Sequence, residues 1–446
     1  MANKRLIVIG GVAAGMSAAS KAKRENPELD VIVYERGKHV AYGQCGLPYY
    51  LAGHLKDAEA LVVRTPEQFL EKGIRIQLNH EALELDHHSK KVTVKNCQNG
   101  ETKKVSYDYL VIATGADPVC PDMEGTQLDG VFLLKTIPDA ERINRYIKDQ
   151  NVKHVALVGG GYINVEVAEA MLKRGMKVTM IQRPTQLLNN MDSEFGAAAT
   201  EELKKHGAAI RLEETVRRVE GSMKAQHVVT DWQRYKAEMV IFALGIRPNT
   251  EWLKNSGISM TEKGAIITDD QSRTNLKDVF AAGDCATVFH RVLEKNVYMP
   301  LGTTANKQGK IAGSVIAGKA EEMQGILGTS IVKVMDLAFG KTGITEKEAE
   351  NENIPVSTVT VKGYSHAKSY PGASPVTIKL IYHKENRVIL GAQLIGPVES
   401  GKRLDVLALA IHQKMTPEEL GMTDFCYAPP FATVWDIVQI AANAAD

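Results

Sequence analysis

Twice in this chain an apolar strand runs straight into a glycine cluster and then into a helix that begins with small or apolar residues. The first instance is IVIGGVAAGMSAA, with Gly10, Gly11 and Gly15 around the turn; the second is HVALVGGGYINVEVAEAMLKRG, with Gly159, Gly160 and Gly161. A sharp strand-to-helix turn needs residues that lack a Cβ. The helix N-terminus behind such a turn offers free N–H groups and a positive dipole to a pyrophosphate. The pattern implies an α/β chain with two Rossmann-like dinucleotide-binding domains.

In the first unit Val12 takes the middle glycine position of G-x-G-x-x-G, and Ala13 and Ala14 open the helix. The next strand, VIVYE, ends in Glu35, 20 residues beyond Gly15. That is where a carboxylate accepts hydrogen bonds from a ribose 2′-OH. In the second unit Asn164 replaces the third glycine, which implies slightly looser packing of helix on strand. The strand that follows, VTMIQR, ends in Gln182 and Arg183 instead of an acid. A 2′-phosphate is then not repelled, and Arg183 is placed to pair with it, so NADPH is expected alongside NADH. Two dinucleotide sites suggest hydride delivered by a nicotinamide to a second, tightly held dinucleotide, a role that FAD fits. YLVIATGADP (109–118), with Ala113, Thr114 and Gly115, and MVIFALGIRPN (239–249), with Gly245, read as crossings between the two nucleotide domains. TNLKDVFAAGDCA (274–286) ends a strand at Gly283 and Asp284, and this Asp is expected to hold the ribityl hydroxyls.

A length of 446 residues suits two or three domains. Lys and Arg number 54 against 53 Asp and Glu, so charge gives no argument for a nucleic-acid or membrane partner. No uninterrupted apolar stretch reaches the roughly 18 residues that span a bilayer. The first residues have the basic, apolar, small-residue order of a secretory leader. A strand, turn and helix that continue into KAKRENPE account for them better, so a mature N-terminus is expected. Five scattered cysteines form no disulfide framework, and a reducing cytoplasm is expected.

YGQCGLPYYLAG (42–53) holds Cys45 with no second cysteine nearby. The position that would complete C-x-x-x-x-C is Tyr50. An isolated cysteine is ordinarily a buried structural thiol, but its place shortly after the first dinucleotide turn marks Cys45 as functional. Cys97 reads as part of a polar turn, Cys120 as part of a connecting loop and Cys285 as packing. Cys426, beside Tyr427, reads as buried before it reads as redox-active.

These segments in this order, together with YAPPF near the C-terminus, resemble the FAD-dependent pyridine nucleotide–disulfide oxidoreductase family over essentially the full length. Within it the chain is similar to the coenzyme A disulfide reductase group, whose relatives include NADH oxidases and polysulfide or persulfide reductases. The resemblance implies an FAD-binding domain from residues 1–118 and 248–325, an NAD(P)H-binding domain over 119–247, and a C-terminal dimerisation domain over 326–446. SIVKVMDLAFGKTGI, PVTIKLIYH and RVILGAQLIG read as strands and SGKRLDVLALAIHQKM as helix, which suits an α+β module. Arg36, Ala82, Tyr162, Ile163, Glu166, Pro300 and Thr303 join the cofactor-binding set, and no residue is assigned to a metal.

The resemblance further implies that Cys45 cycles as a mixed disulfide with CoA and reduces CoA disulfide to CoA thiol. A lowered thiolate pKa is expected, supplied by the flavin and a helix N-terminus. In a homodimer, Tyr427 of YAPPF and a second tyrosine, Tyr370 of SYPGASP, would reach the partner's site and donate to the departing thiolate. Ser17, Lys21, Arg24, Gln44 and Asn306 are implied to bind the substrate. Asn306 stands where one branch has a histidine and Trp435 where it has a lysine, which leaves room for a smaller thiol or a polysulfide. Ala13 replaces the histidine of the family's peroxidases and water-forming oxidases, which counts against peroxide reduction. Oxidase, polysulfide or persulfide reductase, and redox-sensing flavoprotein remain as alternatives.

Overall fold

The computed structural model describes residues 3–445. Short apolar runs become strands buried on both faces, as parallel sheets flanked by helices require. Arg5–Ile9, Asp30–Tyr34, Ile74–Gln77, Tyr109–Ile112 and Val279–Ala281 form one such sheet, all pairs parallel. Leu6, Ile7, Val8, Val33, Val111 and Ala281 are fully buried in it. A second parallel sheet joins Ala209–Leu212, Lys177–Gln182, His154–Val158, Met239–Phe242 and Val131–Leu133 in that order. Both sheets place the strand before the glycine turn in the centre, with the next strand on one side and a later crossing strand on the other. This leaves a crevice at the carboxyl ends of the strands, where doubly wound sheets bind their ligands.

The first sheet draws strands from both sides of the second in sequence. The two chain crossings meet as a short antiparallel pair, Ala116–Pro118 with Ile246–Pro248. Each sheet also carries a three-stranded antiparallel layer that the sequence reading passed over: His80–Asp86, Lys91–Asn96 and Thr102–Ser106 in one, Val216–Glu220, His227–Thr230 and Arg234–Lys236 in the other.

The C-terminal region is a five-stranded antiparallel sheet ordered Ser330–Val334, Leu337–Gly343, Ile389–Pro397, Pro375–His383 and Val356–Tyr364. Ser330–Val334 and Leu337–Gly343 share the segment SIVKVMDLAFGKTGI, Pro375–His383 is the segment PVTIKLIYH, and Ile389–Pro397 overlaps RVILGAQLIG and extends past it; Val356–Tyr364 was not anticipated. One face buries Ile378, Leu380, Ala392 and Leu394 under Leu404, Leu407 and Ile411 of the helix Arg403–His412 and under Ile437 and Val438. The opposite face meets the second nucleotide unit, where Val332, Val334 and Phe339 join that unit's apolar core beside a polar cluster. There Lys379 reaches Asp192, Glu194 and Glu346, and Gln393 accepts from the Asp192 N–H at 2.8 Å.

Candidate active site

At the first turn Gly10 has φ +105°, and a Cβ there would lie 2.0 Å from the Ala113 carbonyl oxygen. No larger residue fits. A Cβ on Gly15 would lie 1.8 Å from the Gly10 oxygen, so helix and strand meet backbone to backbone. Glu35 Oε2 accepts from the Gly11 N–H at 2.6 Å and Oε1 from Gly37 at 2.6 Å, fixing the carboxylate beside the turn. The second turn repeats this arrangement without the charge: Gln182 Oε1 accepts from the Gly160 N–H at 3.0 Å. Asn164 does not simply loosen the packing. It is fully buried, and its amide donates to the Val158 and Gly159 carbonyls, both at 2.9 Å, replacing close backbone contact with two hydrogen bonds.

The helices behind these turns, Ala13–Glu25 and Tyr162–Lys173, begin with no side-chain cap and no acidic residue in the first turn. By contrast, the helices opening after Thr65, Thr136, Thr345, Thr416 and Asp436 all carry capping boxes. An uncapped N-terminus leaves its N–H groups for an external anion. Nothing lies within 4 Å of the Cβ positions at Gly161, Gly115 and Gly245, so the crevice is open beside them. These features fit a dinucleotide in each cradle. Gly309 and Gly313 of the helix Gly302–Ile316 bring it against the Ala14 and Ala18 carbonyls; Pro300 and Thr303 stand at its start.

The remaining positions expected at the cofactors are spread over several elements. Thr114 donates to the Asn249 carbonyl at 2.7 Å. Arg36 pairs with Asp117 at 2.8 Å, and Ala82 is buried in the strand His80–Asp86. Gly283 packs under Ala14, and Ile163 is exposed at the second helix start. Tyr162 shares its hydroxyl with Ser330 at 2.8 Å and Asn190 at 2.7 Å. Arg183 is exposed and has no carboxylate partner among the described residues.

Cys45 lies in a single 3-10 turn, Gln44–Gly46, that runs into the helix Leu47–Leu51. It is exposed in the cleft. The surrounding protein nevertheless desolvates the thiol and, with the carboxylates of Glu166 and Asp284, raises its pKa, against a lowering by Lys135. Burial and these two acids act against the lowered thiolate pKa expected for Cys45. Gln44 Nε2 donates to the Tyr42 hydroxyl at 3.4 Å.

Around Cys45 three contacts join distant parts of the chain. Tyr49 donates to Glu166 Oε1 at 2.9 Å. Lys135 pairs with Asp284 at 3.5 Å. Tyr50, at the place of a resolving cysteine, accepts from Asn144 at 3.3 Å; Asn144 accepts from Arg174, which also donates to the Leu51 carbonyl at 2.9 Å. Sequence reading missed Lys135, Tyr49, Asn144 and Arg174. Each is an ordinary surface-type residue locally and acquires meaning only through a partner far along the chain.

Of the residues expected at the substrate, Ser17 and Asn306 meet, the Ser17 hydroxyl lying 2.8 Å from Asn306 Oδ1. Lys21 is engaged with Glu25 at 2.8 Å and lies 3.8 Å from Glu321, while Arg24 is exposed and unpaired among the described residues. Tyr370 and Tyr427 are 46% and 47% exposed. The Tyr427 hydroxyl has no partner among the described residues. Cys426, expected to be buried, is exposed, because the 422–435 segment lies over the fold with Met422, Phe431, Val434 and Trp435 facing outward. Cys97 and Cys120 are exposed, and Cys285 is fully buried with its thiol pushed up to about 11 by that burial. Among the described residues no helix is long and apolar enough to cross a membrane.

Two dinucleotide cradles opening towards one cysteine define an NAD(P)H-dependent flavoprotein oxidoreductase. Residues 4–309 match the family described as pyridine nucleotide-disulphide oxidoreductase, and residues 329–437 match its dimerisation domain. The chain belongs to this family, whose cofactors are FAD and NAD(P)H. It is 41% identical over 442 residues to the NAD(P)H coenzyme A polysulfide/persulfide reductase of Pyrococcus horikoshii, covering 99% of this chain and 98% of that one. It is 31% identical to the coenzyme A disulfide reductase of Staphylococcus aureus, covering 98% of each. Among solved structures, reduced CoADR-RHD of Bacillus anthracis superimposes with a TM-score of 0.96 at 33% identity, covering 99% of this chain and 80% of that one.

Proposed function

We propose that this protein passes reducing equivalents from NAD(P)H to Cys45 and uses that single cysteine, as a mixed disulfide with CoA, to reduce CoA disulfide. The observation that carries this reading is the pairing of an exposed Cys45 with a Tyr50 tied to Asn144. No internal disulfide partner stands where the usual redox pair would put one, so the second sulfur must come from a substrate. Bound FAD supplies the route by which electrons from NAD(P)H reach the Cys45 sulfur. Two electrons and a proton convert Cys45–S–S–CoA to the Cys45 thiolate and one CoA thiol. The thiolate then attacks CoA disulfide; its S–S bond breaks, the mixed disulfide re-forms, and the second CoA leaves as a thiolate.

A homodimer suits this chemistry. Tyr427, half exposed and without a partner among the described residues, would donate its phenolic proton to the departing thiolate across the dimer, with Tyr370 as a second candidate donor. Ser17, Asn306 and Arg24 offer hydroxyl, amide and cation to a phosphorylated thiol; Lys21 would have to loosen from its acids to take part. Residues 1–118 with 248–325 form the FAD domain in this reading, 119–247 the NAD(P)H domain and 326–446 the dimerisation domain. Five unpaired cysteines suit the cytoplasm.

A second reading, reduction of polysulfide or persulfide, is favoured by the activity for which the Pyrococcus relative is named and needs the same thiolate. The test is the mass of the intact protein with and without a small thiol, alongside Cys45→Ser. A thiol-labile excess equal to one CoA, absent in the variant, supports the CoA reading. An unmodified Cys45 with polysulfide-dependent turnover shifts the reading to the second, and full disulfide-dependent NAD(P)H oxidation by Cys45→Ser sinks both.

A further inference from the structure

Residues 422–435, which carry Tyr427, form neither helix nor strand and turn Met422, Phe431, Val434 and Trp435 outward. Such a segment has few contacts of its own to fix its shape. Both of its ends are nevertheless tied to buried polar groups. At the start, Gln439 Nε2 donates to the Gly421 carbonyl at 3.3 Å and to the Thr423 carbonyl at 2.8 Å. At the end, Asp436 caps the helix Ile437–Asn443 and accepts from the Val438 N–H at 3.0 Å.

Arg403, the first residue of the helix Arg403–His412, makes the remaining ties. Its Nε donates to the two Asp436 oxygens at 3.1 and 2.9 Å, and its Nη2 lies 2.8 Å from Oδ2. Nη2 also donates to the Ser365 carbonyl at 2.7 Å and to the Phe431 carbonyl at 3.3 Å. The Arg403 and Asp436 side chains are only 15% and 11% exposed, so this junction is held out of water.

Ser365 opens the loop that carries Tyr370. Its N–H donates to the Ser374 carbonyl at 2.8 Å, and the Tyr370 N–H donates to the Ala367 carbonyl at 2.9 Å. Buried His366 sits between the Ser365 hydroxyl at 3.0 Å and the Pro371 carbonyl at 3.1 Å, with its ring edge-on to Tyr370. The Ala367 N–H crosses to the Pro429 carbonyl, two residues past Tyr427, at 3.2 Å. One guanidinium therefore holds two loops that also bond to each other, and each loop carries one tyrosine.

We propose that Arg403 is the positioning residue for Tyr427 and Tyr370, fixing their loops as one unit so that both phenols are presented together. The proposal rests on the reading that these tyrosines serve the departing thiolate. A guanidinium fork meets a carboxylate and two carbonyls at once, which the point charge of a lysine does not. Arg403 acts on the reaction only through the tyrosines.

The test compares turnover with CoA disulfide in the FAD-loaded dimers of wild type, Arg403→Lys, Tyr370→Phe/Tyr427→Phe, and the three substitutions combined. A positioned general acid is worth about 10²–10⁴-fold, so Arg403→Lys should lower kcat at least about tenfold while KM for the nicotinamide changes less than about twofold. In the background lacking both phenols the same substitution should change kcat less than about twofold, because the groups it positions are gone. Hydrogen exchange read by mass spectrometry needs no acceptor and stands whichever disulfide the enzyme reduces. Arg403→Lys should speed exchange at least about tenfold in peptides covering the Ala367 amide and residues 425–432. If Arg403→Lys does not assemble, Asp436→Asn keeps a capping side chain, loses the ion pair, and should show the same pattern at smaller amplitude. Equal losses of kcat in both backgrounds would mark a merely structural role and overturn the proposal, as would unchanged exchange in the two loops. Full turnover without the two phenols would overturn the tyrosine reading and the proposal with it. Slow turnover there beside an unaffected Arg403→Lys would overturn the proposal alone.

Discussion

Lys379 is 5% exposed and joins three carboxylates, Asp192 at 2.9 Å, Glu194 at 2.8 Å and Glu346 at 2.7 Å, where the C-terminal sheet meets the second nucleotide sheet. Lys379→Met removes the cation and leaves the acids. Deleting one partner of a buried ion pair costs about 3–5 kcal/mol when the other is stranded. Here the stranding is incomplete. Asp192 keeps the Gln393 amide at 2.5 Å and the Glu346 and Lys347 N–H groups at 3.4 and 3.5 Å, and Glu194 and Glu346 are about half exposed. The expected loss is therefore about 2–3 kcal/mol, or a fall of roughly 4–12 °C in the melting temperature of the unit affected.

The three acids hold the Lys379 pKa above its ordinary 10.5, although burial, the largest influence, opposes them. A raised folded-state pKa gives stabilisation that is complete below the unfolded value and lost as pH rises through the folded one. The difference between wild type and variant should accordingly be constant from about pH 6 to 9. Differential scanning calorimetry of both proteins, with Glu346→Gln as a half-exposed comparison costing well under about 1 kcal/mol, decides the matter. A Lys379→Met transition within 1 °C of wild type, or one no lower than that of Glu346→Gln, would refute the argument from burial.

Three further outcomes are expected. Gly10→Ala forces a Cβ to within 2.0 Å of the Ala113 oxygen at a φ of +105°, so the purified protein should lose most of its flavin, read from the ratio of visible to ultraviolet absorbance. Arg183→Glu should lower kcat/KM for NADPH at least about tenfold with little change for NADH, because a carboxylate would repel the 2′-phosphate; equal losses with both cofactors would remove Arg183 from that role. Cys285, fully buried with a thiol pushed up to about 11, should resist alkylation at pH 8 until the protein is unfolded, while Cys45 reacts in the native state.

What could be read from the sequence was whatever is constrained locally. A glycine at position 10 or 159 is demanded by the turn itself, and Glu35 and Gln182 sit at fixed distances from those turns, so both nucleotide units were legible. The antiparallel layers at 80–106 and 216–236 were not, because their strands are short and alternate charged with apolar residues in the way surface loops also do. Lys135, Tyr49 and Lys379 owe their roles to partners brought near by folding, and no spacing announces them. The reverse error concerns Cys426, where a cysteine in an aromatic, proline-rich segment looked buried although that segment lies on the outside.

The antiparallel seam of Ala116–Pro118 with Ile246–Pro248 sets the two ends of everything from 119 to 245 side by side. A stretch of chain whose ends already touch can close on itself, yet Tyr49–Glu166, Lys135–Asp284 and Lys379–Asp192 tie this one to its surroundings. Exchanging that stretch for another would therefore carry Glu166 and Lys135 along with it and change the surroundings of Cys45 as well.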